Sequence, residues 1–174
     1  THSLEVSCIG RSLGMLAAEK IKDELPMWIS PADVGAIIQA ACLAHDIGNP
    51  PFGHAGEYAI REWFDDGSHG NFLEKLSAEA QADVRPFDAN AQGLRLLTKI
   101  DYHPNDGGMR LTYATLGAYL KYPWLSKTIE SQGNTPASKR AKFGCYQAEK
   151  EILQQIAEQL GLIQLGEYHY CRHP

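Results

Sequence analysis

The sequence predicts a mostly α-helical domain. Apolar residues recur at spacings of three and four in several segments, which is typical of a helix with one buried face. Residues with strong helix-starting and helix-ending preferences flank these segments. No stretch alternates apolar and polar residues over the length of a strand, and no internal repeat is present. With 174 residues and 44% hydrophobic content, the chain is long enough for one domain with its own core.

Two helices are predicted in the first 48 residues. The first spans residues 4–24 and ends before Pro26, because proline cannot continue a helix. The second begins at Ser30, which can cap it, and Pro31 and Asp33 suit its first turn. Its apolar stripe runs from Val34 through Cys42 to His45, which places His45 on the inward face. The apolar residues near one face of the first helix are Ile9, Leu13, Leu16, Ala17 and Ile21.

The remaining elements are also predicted as helices joined by loops. A polar stretch at residues 71–82 is helix-like, and Asp88 is expected to cap the helix that follows it. Gly161 should end the last helix. The other predicted helices are 55–64, 89–100, 112–120 and 146–160, and the predicted loops are 65–70, 103–108 and 121–144.

Composition excludes several functional classes. No run of about eighteen apolar residues is present, so we expect no membrane span. No basic, apolar and small-residue leader pattern is present, so we expect no secretion signal. Four widely spaced cysteines without a C-x-x-C pair suggest buried free thiols in a reducing cytoplasm rather than disulfides or a zinc site. The net charge of −5 argues against a general nucleic-acid coat but allows a locally basic pocket for a phosphorylated ligand. Because the chain begins at Thr1 rather than methionine, we expect it to be part of a longer protein.

The strongest chemical signal lies where the second helix ends. His45 and Asp46 are adjacent there, and a desolvated carboxylate needs a cation or several hydrogen-bond donors. Imidazole and carboxylate together suit a divalent ion such as Mn, Fe, Co, Zn or Ni, whereas Mg prefers more oxygen ligands. His2 opens the preceding helix and is a candidate third ligand, although an isolated histidine there is more often a surface residue.

A second chemical pair follows the glycine- and proline-rich turn. His54 and Glu57 lie three residues apart on one helical face, so Glu57 could orient and charge-stabilise His54. The structural alternative for His54 is a helix-capping or core histidine. We interpret the two pairs as the floor of a metal-dependent hydrolytic site.

Candidate ligand-binding residues occur on the next predicted helix. Asn90 and Gln92 could read a base or sugar edge, and Arg95 could pair with phosphate oxygens. A solvated helix face explains each of them equally well. Arg11 is another candidate near phosphate. The cluster of Lys139, Arg140 and Lys142 fits a solvated loop, with a phosphate, nucleic-acid or subunit contact as the alternative.

Four segments in order resemble the deoxyguanosinetriphosphate triphosphohydrolase family of the HD-domain phosphohydrolases. They read T-H-S-L-E-V, A-C-L-A-H-D-I-G-N-P-P-F-G-H-A-G-E, F-D-A-N-A-Q-G-L-R and L-K-Y-P-W, with K-F-G at residues 142–144 as a weaker match. The resemblance implies an all-α HD-domain fold over residues 1–174. It also implies hydrolysis of dGTP, or of deoxynucleoside triphosphates generally, to deoxynucleoside and inorganic triphosphate.

The resemblance implies a divalent metal held by two histidines and two aspartates. The first three ligands correspond to His2, His45 and Asp46, and the ion would be Mn, Mg, Fe, Co or Ni. The fourth ligand belongs to an E-A-A-D-D-like helix that does not occur here, so we expect the chain to be incomplete on that side. The catalytic pair of the family corresponds to His54 and Glu57.

The resemblance also implies substrate contacts and partners. Lys121 and Tyr122 correspond to a segment that touches the substrate phosphates, although a cation also suits the end of an amphipathic helix. Related proteins form homo-oligomers, often hexamers, and some bind single-stranded DNA. Two other classes stay open: another HD phosphohydrolase acting on monophosphates or phosphodiesters, and a non-catalytic nucleotide- or DNA-binding module.

Overall fold

The computed structural model describes residues 1–100, 107–127 and 142–171, and most of these residues are helical. The mostly α-helical class predicted from the sequence is confirmed. Two short antiparallel strands, β1 (Gln164–Gly166) and β2 (His169–Tyr170), form a hairpin in which Gln164 pairs with Tyr170. The α-helices are α1 (His2–Lys20), α2 (Pro31–Ala44), α3 (His54–Asp65), α4 (Gly70–Leu73), α5 (Ala78–Val84), α6 (Ala89–Arg95), α7 (Tyr113–Tyr119) and α8 (Lys150–Leu160).

The predicted helix ends are confirmed by their capping contacts. The Ser30 hydroxyl accepts from the Asp33 backbone N–H at 3.3 Å, and the Asp33 carboxylate accepts from the Ser30 N–H at 2.8 Å. This reciprocal pair satisfies two backbone donors at the start of α2. The Asp88 carboxylate caps α6 by accepting from the Asn90 N–H at 2.8 Å. After α8, Gly161 adopts φ of 65°, a left-handed conformation that glycine tolerates best.

Two predicted helices are interrupted. The polar segment 71–82 divides into α4 and α5, because the Ser77 side chain caps α5 by accepting from the Ala80 N–H, and a capping residue has non-helical backbone angles. The helix predicted to reach residue 100 continues after α6 as one π-helical turn, Leu96–Ile100. There the Leu97 carbonyl accepts from the Met109 N–H at 2.8 Å, so a neighbouring segment takes part in its hydrogen bonding.

Helices α1 and α2 pack through small residues. A Cβ atom added at Gly14 would lie 3.1 Å from the Ile38 Cγ1, and one added at Gly35 would lie 3.1 Å from the Arg11 carbonyl oxygen. The buried residues of α1 are Ser7, Gly10, Gly14 and Ala18. Its larger apolar side chains Ile9, Leu13 and Leu16 are 61–65% exposed among the described residues. The helix therefore buries its small face, and the close approach brings His2 to the end of α2.

Replacing Gly14 by valine should destabilise the fold by about 1–3 kcal/mol, the usual cost of overpacking. A Cβ at Gly14 would already lie 3.1–3.3 Å from Ile38 and the Gly35 Cα, closer than ordinary contact, and valine adds two methyl groups to that Cβ. Thermal denaturation of the full-length protein would measure the loss. Gly67→Val is the matched control, because a Cβ at Gly67 meets no atom within 4 Å. Equal melting temperatures of the two variants would contradict the tight packing of α1 on α2.

The main core lies between α6, α7 and α8. Its central side chains are buried: Leu94, Leu97, Leu116, Leu153, Ile156 and Cys145. Helix α2 packs on α7, so the site-bearing pair α1–α2 rests against this core. The thiols of Cys8, Cys42 and Cys145 are free, as expected, but Cys8 is exposed rather than buried. Among the described residues, no helix is both long and apolar enough to cross a membrane.

Candidate functional site

His2, His45 and Asp46 meet where α1 begins and α2 ends. The His45 Nε2 lies 3.1 Å from the Asp46 Oδ2, and the His2 Nε2 lies 3.9 Å from the same oxygen. The two imidazole rings are 5.3 Å apart in an edge-to-face arrangement. One potential ligand atom from each residue falls within 4.8 Å of the others. Two imidazoles and one carboxylate at this spacing are a donor set that suits a borderline divalent ion.

The orientation of His45 fits a metal ligand. Its Nδ1 lies 2.7 Å from the Cys42 carbonyl oxygen, so Nδ1 carries the proton and donates it there. The other ring nitrogen, Nε2, faces Asp46. A hydrogen bond from the outer nitrogen to a carbonyl is the usual support of a ligating histidine. The side chains of His2, His45 and Asp46 are 68%, 34% and 43% exposed, so the cluster is open to incoming ligands.

A cavity of about 430 Å³ opens beside the cluster. Its lining residues come from α2 and the turn after it, the start of α3, the start of α6 and the end of α7. Lys121, Tyr122 and Lys142 complete the lining. Predicted site residues in its lining are His45, Asp46, His54, Glu57, Asn90, Lys121 and Tyr122. Seven of the ten predicted site residues thus line one cavity. His2 does not line it but lies beside Asp46, which does. Its volume falls within the range of small-ligand sites in proteins.

His54 and Glu57 lie on the first turn of α3 in different environments. His54 is exposed toward the cavity, whereas the Glu57 side chain is 1% exposed. The residues before His54 turn sharply, and Phe52 and Gly53 adopt φ of 66° and 56°. Among the described residues, the Glu57 hydrogen bonds go to Arg61 and Lys142, and none joins it to His54. Support of His54 by Glu57 therefore stays a prediction.

Glu57 belongs to a buried network of four charges. The Arg61 guanidinium donates to Glu57 at 2.6 Å and lies 3.6 Å from the Asp88 Oδ2. The Lys142 ammonium also pairs with Glu57, and it lies 3.7 Å from the Asp88 Oδ2. Burial raises the pKa of the Asp88 carboxyl, and the charge of Lys142 opposes that rise. Two cations thus balance two carboxylates directly beneath the cavity.

The cavity wall opposite His54 combines amide, phenol and ammonium groups. Asn90 donates to Asp88 through its side-chain nitrogen at 2.7 Å, which fixes its orientation. The Tyr119 hydroxyl donates to the Asn90 carbonyl oxygen at 3.2 Å. Burial raises the pKa of Tyr119 far above its ordinary value, so the hydroxyl remains a donor. The Lys121 ammonium lies 5.4 Å from the centre of the Tyr122 ring.

Gln92 and Arg95 do not line this cavity. Arg95 forms a two-pronged ion pair with Glu149, with nitrogen–oxygen distances of 3.1 and 3.0 Å, and its guanidinium lies 4.4 Å over the Tyr146 ring. Glu149 is 2% exposed and needs such a partner. Arg95 therefore links α6 to the start of α8. Substrate contact by Gln92 and Arg95 is a prediction that the geometry does not favour.

The sequence reasoning missed two site residues. Lys142 was assigned to a solvated loop cluster, yet it is 18% exposed and lines the cavity. The K-F-G match was the signal that could have found it. Asn49 also lines the cavity and donates to Asp46 at 2.8 Å. The other cluster members, Lys139 and Arg140, lie outside the described residues.

The chain is similar to a known family and to several known proteins. Residues 1–157 match the family described as HD domain. A "Deoxyguanosinetriphosphate triphosphohydrolase-like protein" of Pseudomonas aeruginosa (strain LESB58) is 55% identical over 174 residues, and one of Synechocystis is 43% identical over 181 residues. The "Deoxyguanosinetriphosphate triphosphohydrolase" of Klebsiella pneumoniae (strain 342) is 33% identical over 194 residues.

These alignments cover most of this chain but less than half of each relative. They include 100%, 99% and 93% of the chain, in the same order, but 38%, 41% and 37% of the relatives. The chain therefore spans about two-fifths of the length of these relatives. The alignment with the Pseudomonas aeruginosa relative covers the whole chain and the HD-domain match covers residues 1–157, so both include the histidine–aspartate cluster and its cavity.

Proposed function

Because the chain belongs to the HD-domain family, we propose that the full-length protein is a metal-dependent nucleotide phosphohydrolase. Its proposed substrate is a deoxynucleoside triphosphate, dGTP first, and its products are deoxynucleoside and inorganic triphosphate. The names of the relatives support this substrate class. The observation that carries the proposal is the cluster of His2, His45 and Asp46 beside a cavity that also contains His54 and Lys121.

The donor set fits a divalent ion of the Mn, Fe, Co or Ni group, and the family resemblance adds Mg as a candidate. His2, His45 and Asp46 would hold it, with the orientation of His45 already fixed by the Cys42 carbonyl. When bound, such an ion supplies a Lewis acid that neutralises phosphate charge and lowers the pKa of water. The exposed cluster leaves access for both water and a phosphate oxygen.

The remaining chemistry belongs to side chains of this chain. His54 lies at the cavity and can give a proton to the 5′ oxygen of the sugar as its bond to phosphorus breaks. Water supplies the new oxygen on the α-phosphorus, and one of its protons replaces the proton that His54 gives up. Because the bond that breaks is the one to the sugar oxygen, the three phosphates leave together. Lys121 would hold the negative phosphate oxygens, and the fixed amide of Asn90 would contact the sugar or base.

Chromatography of products is the direct test. The full-length protein is incubated with dGTP and Mn²⁺, with and without a chelator. We expect deoxyguanosine and triphosphate, both absent after chelation. A monophosphate product would indicate another HD phosphohydrolase, and nucleotide or single-stranded DNA binding without turnover would indicate a non-catalytic module. Either result would overturn the proposed reaction.

The proposal includes assembly and location. We propose a cytoplasmic homo-oligomer, with a hexamer as the expected size and single-stranded DNA as a candidate further partner. Light scattering of the full-length protein at several concentrations, with and without a single-stranded oligonucleotide, would measure the size of the oligomer and its binding of DNA. A monomer at all concentrations would contradict the assembly.

A further inference from the structure

Asn49 contacts the candidate metal centre without being one of its predicted ligands. Its side-chain nitrogen donates to the Asp46 Oδ1 at 2.8 Å. Its backbone N–H donates to the Asp46 carbonyl oxygen at 3.0 Å. Asn49 therefore holds both the main chain and the side chain of Asp46. The amide is the right group for this contact, because it donates a hydrogen bond without adding charge.

Because of this contact, the two carboxylate oxygens of Asp46 face different groups. Oδ1 accepts from Asn49, while Oδ2 lies 3.1 Å from the His45 Nε2 and 3.9 Å from the His2 Nε2. A carboxylate held at one oxygen can no longer rotate freely about its terminal bond. The oxygen that faces both histidines is thereby selected, which prepares the donor set before any ion arrives.

The backbone that carries Asn49 is itself closely packed. Gly48 lies so near to α6 that an added Cβ would overlap the Ala89 carbonyl oxygen and approach the Gly93 Cα to 2.8 Å. The turn after α2 is thus pressed against α6, and a larger residue at position 48 would push it away. The packing at Gly48 fixes the backbone next to Asn49. The side-chain hydrogen bond of Asn49 therefore holds the Asp46 carboxylate in a fixed position relative to the turn.

We propose that Asn49 is a positioning residue that fixes the Asp46 carboxylate for metal binding. The inference rests on the proposed metal-dependent function. Groups that hydrogen-bond a metal ligand from outside typically change metal affinity about 10- to 100-fold when they are removed. We expect an effect of that size at Asn49, with little change in the rate constant once the metal site is saturated.

A purely structural role for Asn49 makes a different prediction. In that case the amide would only stabilise the turn, and its loss would lower the melting temperature without weakening metal binding in the folded protein. Metal affinity separates the two roles because it can be measured below the melting transition and without nucleotide. Asn49 is exposed, so its replacement should leave the fold intact.

The experiment is a Mn²⁺ titration of the full-length protein, followed by the electron paramagnetic resonance signal of free Mn²⁺. Wild type, Asn49→Ala and the matched control Gln154→Ala are compared, with thermal denaturation of each. Gln154 also donates an amide hydrogen bond to a carboxylate, that of Glu158 at 2.7 Å, but it lies on α8. The positioning role predicts a dissociation constant raised about 10- to 100-fold in Asn49→Ala and unchanged in Gln154→Ala.

Three results would overturn the inference, and they differ in what else they refute. Wild-type and Asn49→Ala proteins that bind Mn²⁺ within about twofold of each other would refute the positioning role and leave the metal centre standing. A wild-type protein that binds Mn²⁺ no better than a His45→Ala variant would refute the metal centre and the inference together. A kcat for Asn49→Ala that stays low at saturating Mn²⁺ would instead place Asn49 in the chemical step.

Discussion

Replacing His54 by alanine in the full-length protein should lower kcat by about 10²-fold or more, the usual contribution of a general acid or base. His54 is exposed at the cavity that also contains the His45–Asp46 pair, and a proton must reach the leaving sugar oxygen. The variant should keep its metal, because His54 is not part of the His2, His45 and Asp46 cluster. Steady-state kinetics with dGTP and elemental analysis of bound metal would measure the two quantities.

His69→Ala is the matched control for the loss of a histidine. His69 stacks on Trp63 with ring centres 4.2 Å apart and does not line the cavity. Its kcat should remain at the wild-type level. Near-normal turnover of the His54 variant would remove His54 from the mechanism. Loss of metal together with turnover would instead make His54 a support of the metal centre.

Local chemistry explains which parts of the fold could be predicted from the sequence. The starts of α2 and α6 and the end of α8 depend on contacts within about four residues, so Ser30, Asp88 and Gly161 could be identified as capping residues directly. The break between α4 and α5 also has a local cause, the Ser77 cap. That signal was present in the sequence and was outweighed by the helix-like composition of the segment.

The buried face of α1 could not be predicted from its own sequence. Periodicity placed large apolar residues such as Leu13 and Leu16 near one face, but the face packed on α2 consists of Ser7, Gly10, Gly14 and Ala18. Which stripe a helix buries depends on the surface it meets. Here α2 presents Gly35 and Ile38, and small residues allow the closest approach.

The candidate site was likewise predictable from the sequence only in part. The histidines and Asp46 belong to short, recognisable segments, and the structure brings them together. Lys142 lies 85 residues from Glu57 in sequence, and Glu149 lies 54 residues from Arg95. Neither pairing has a local signal. The sequence therefore indicated that Arg95 and Glu57 are chemically important without indicating which partner each side chain takes.

Glu57→Ala should destabilise the full-length protein by about 3–5 kcal/mol, because removing one partner from a buried ion network leaves uncompensated charge. Arg61 is 6% exposed and Lys142 18% exposed, and without Glu57 they would face Asp88 as their shared carboxylate in the network. For a domain of this size each kcal/mol lowers the melting temperature by roughly 2–4 °C. Calorimetry or circular dichroism would measure the shift.

Glu19→Ala is the matched control, since Glu19 forms an exposed pair with Lys22 at 3.4 Å and such pairs contribute only about 0–1 kcal/mol. Equal melting temperatures for the two variants would show that the buried network does not stabilise the fold. Because Glu57 supports the fold, its effect on catalysis must be measured well below the melting temperature of the variant. A kcat that remains low in fully folded Glu57→Ala protein would support the predicted action of Glu57 on His54, whereas a recovered kcat would restrict Glu57 to a structural role.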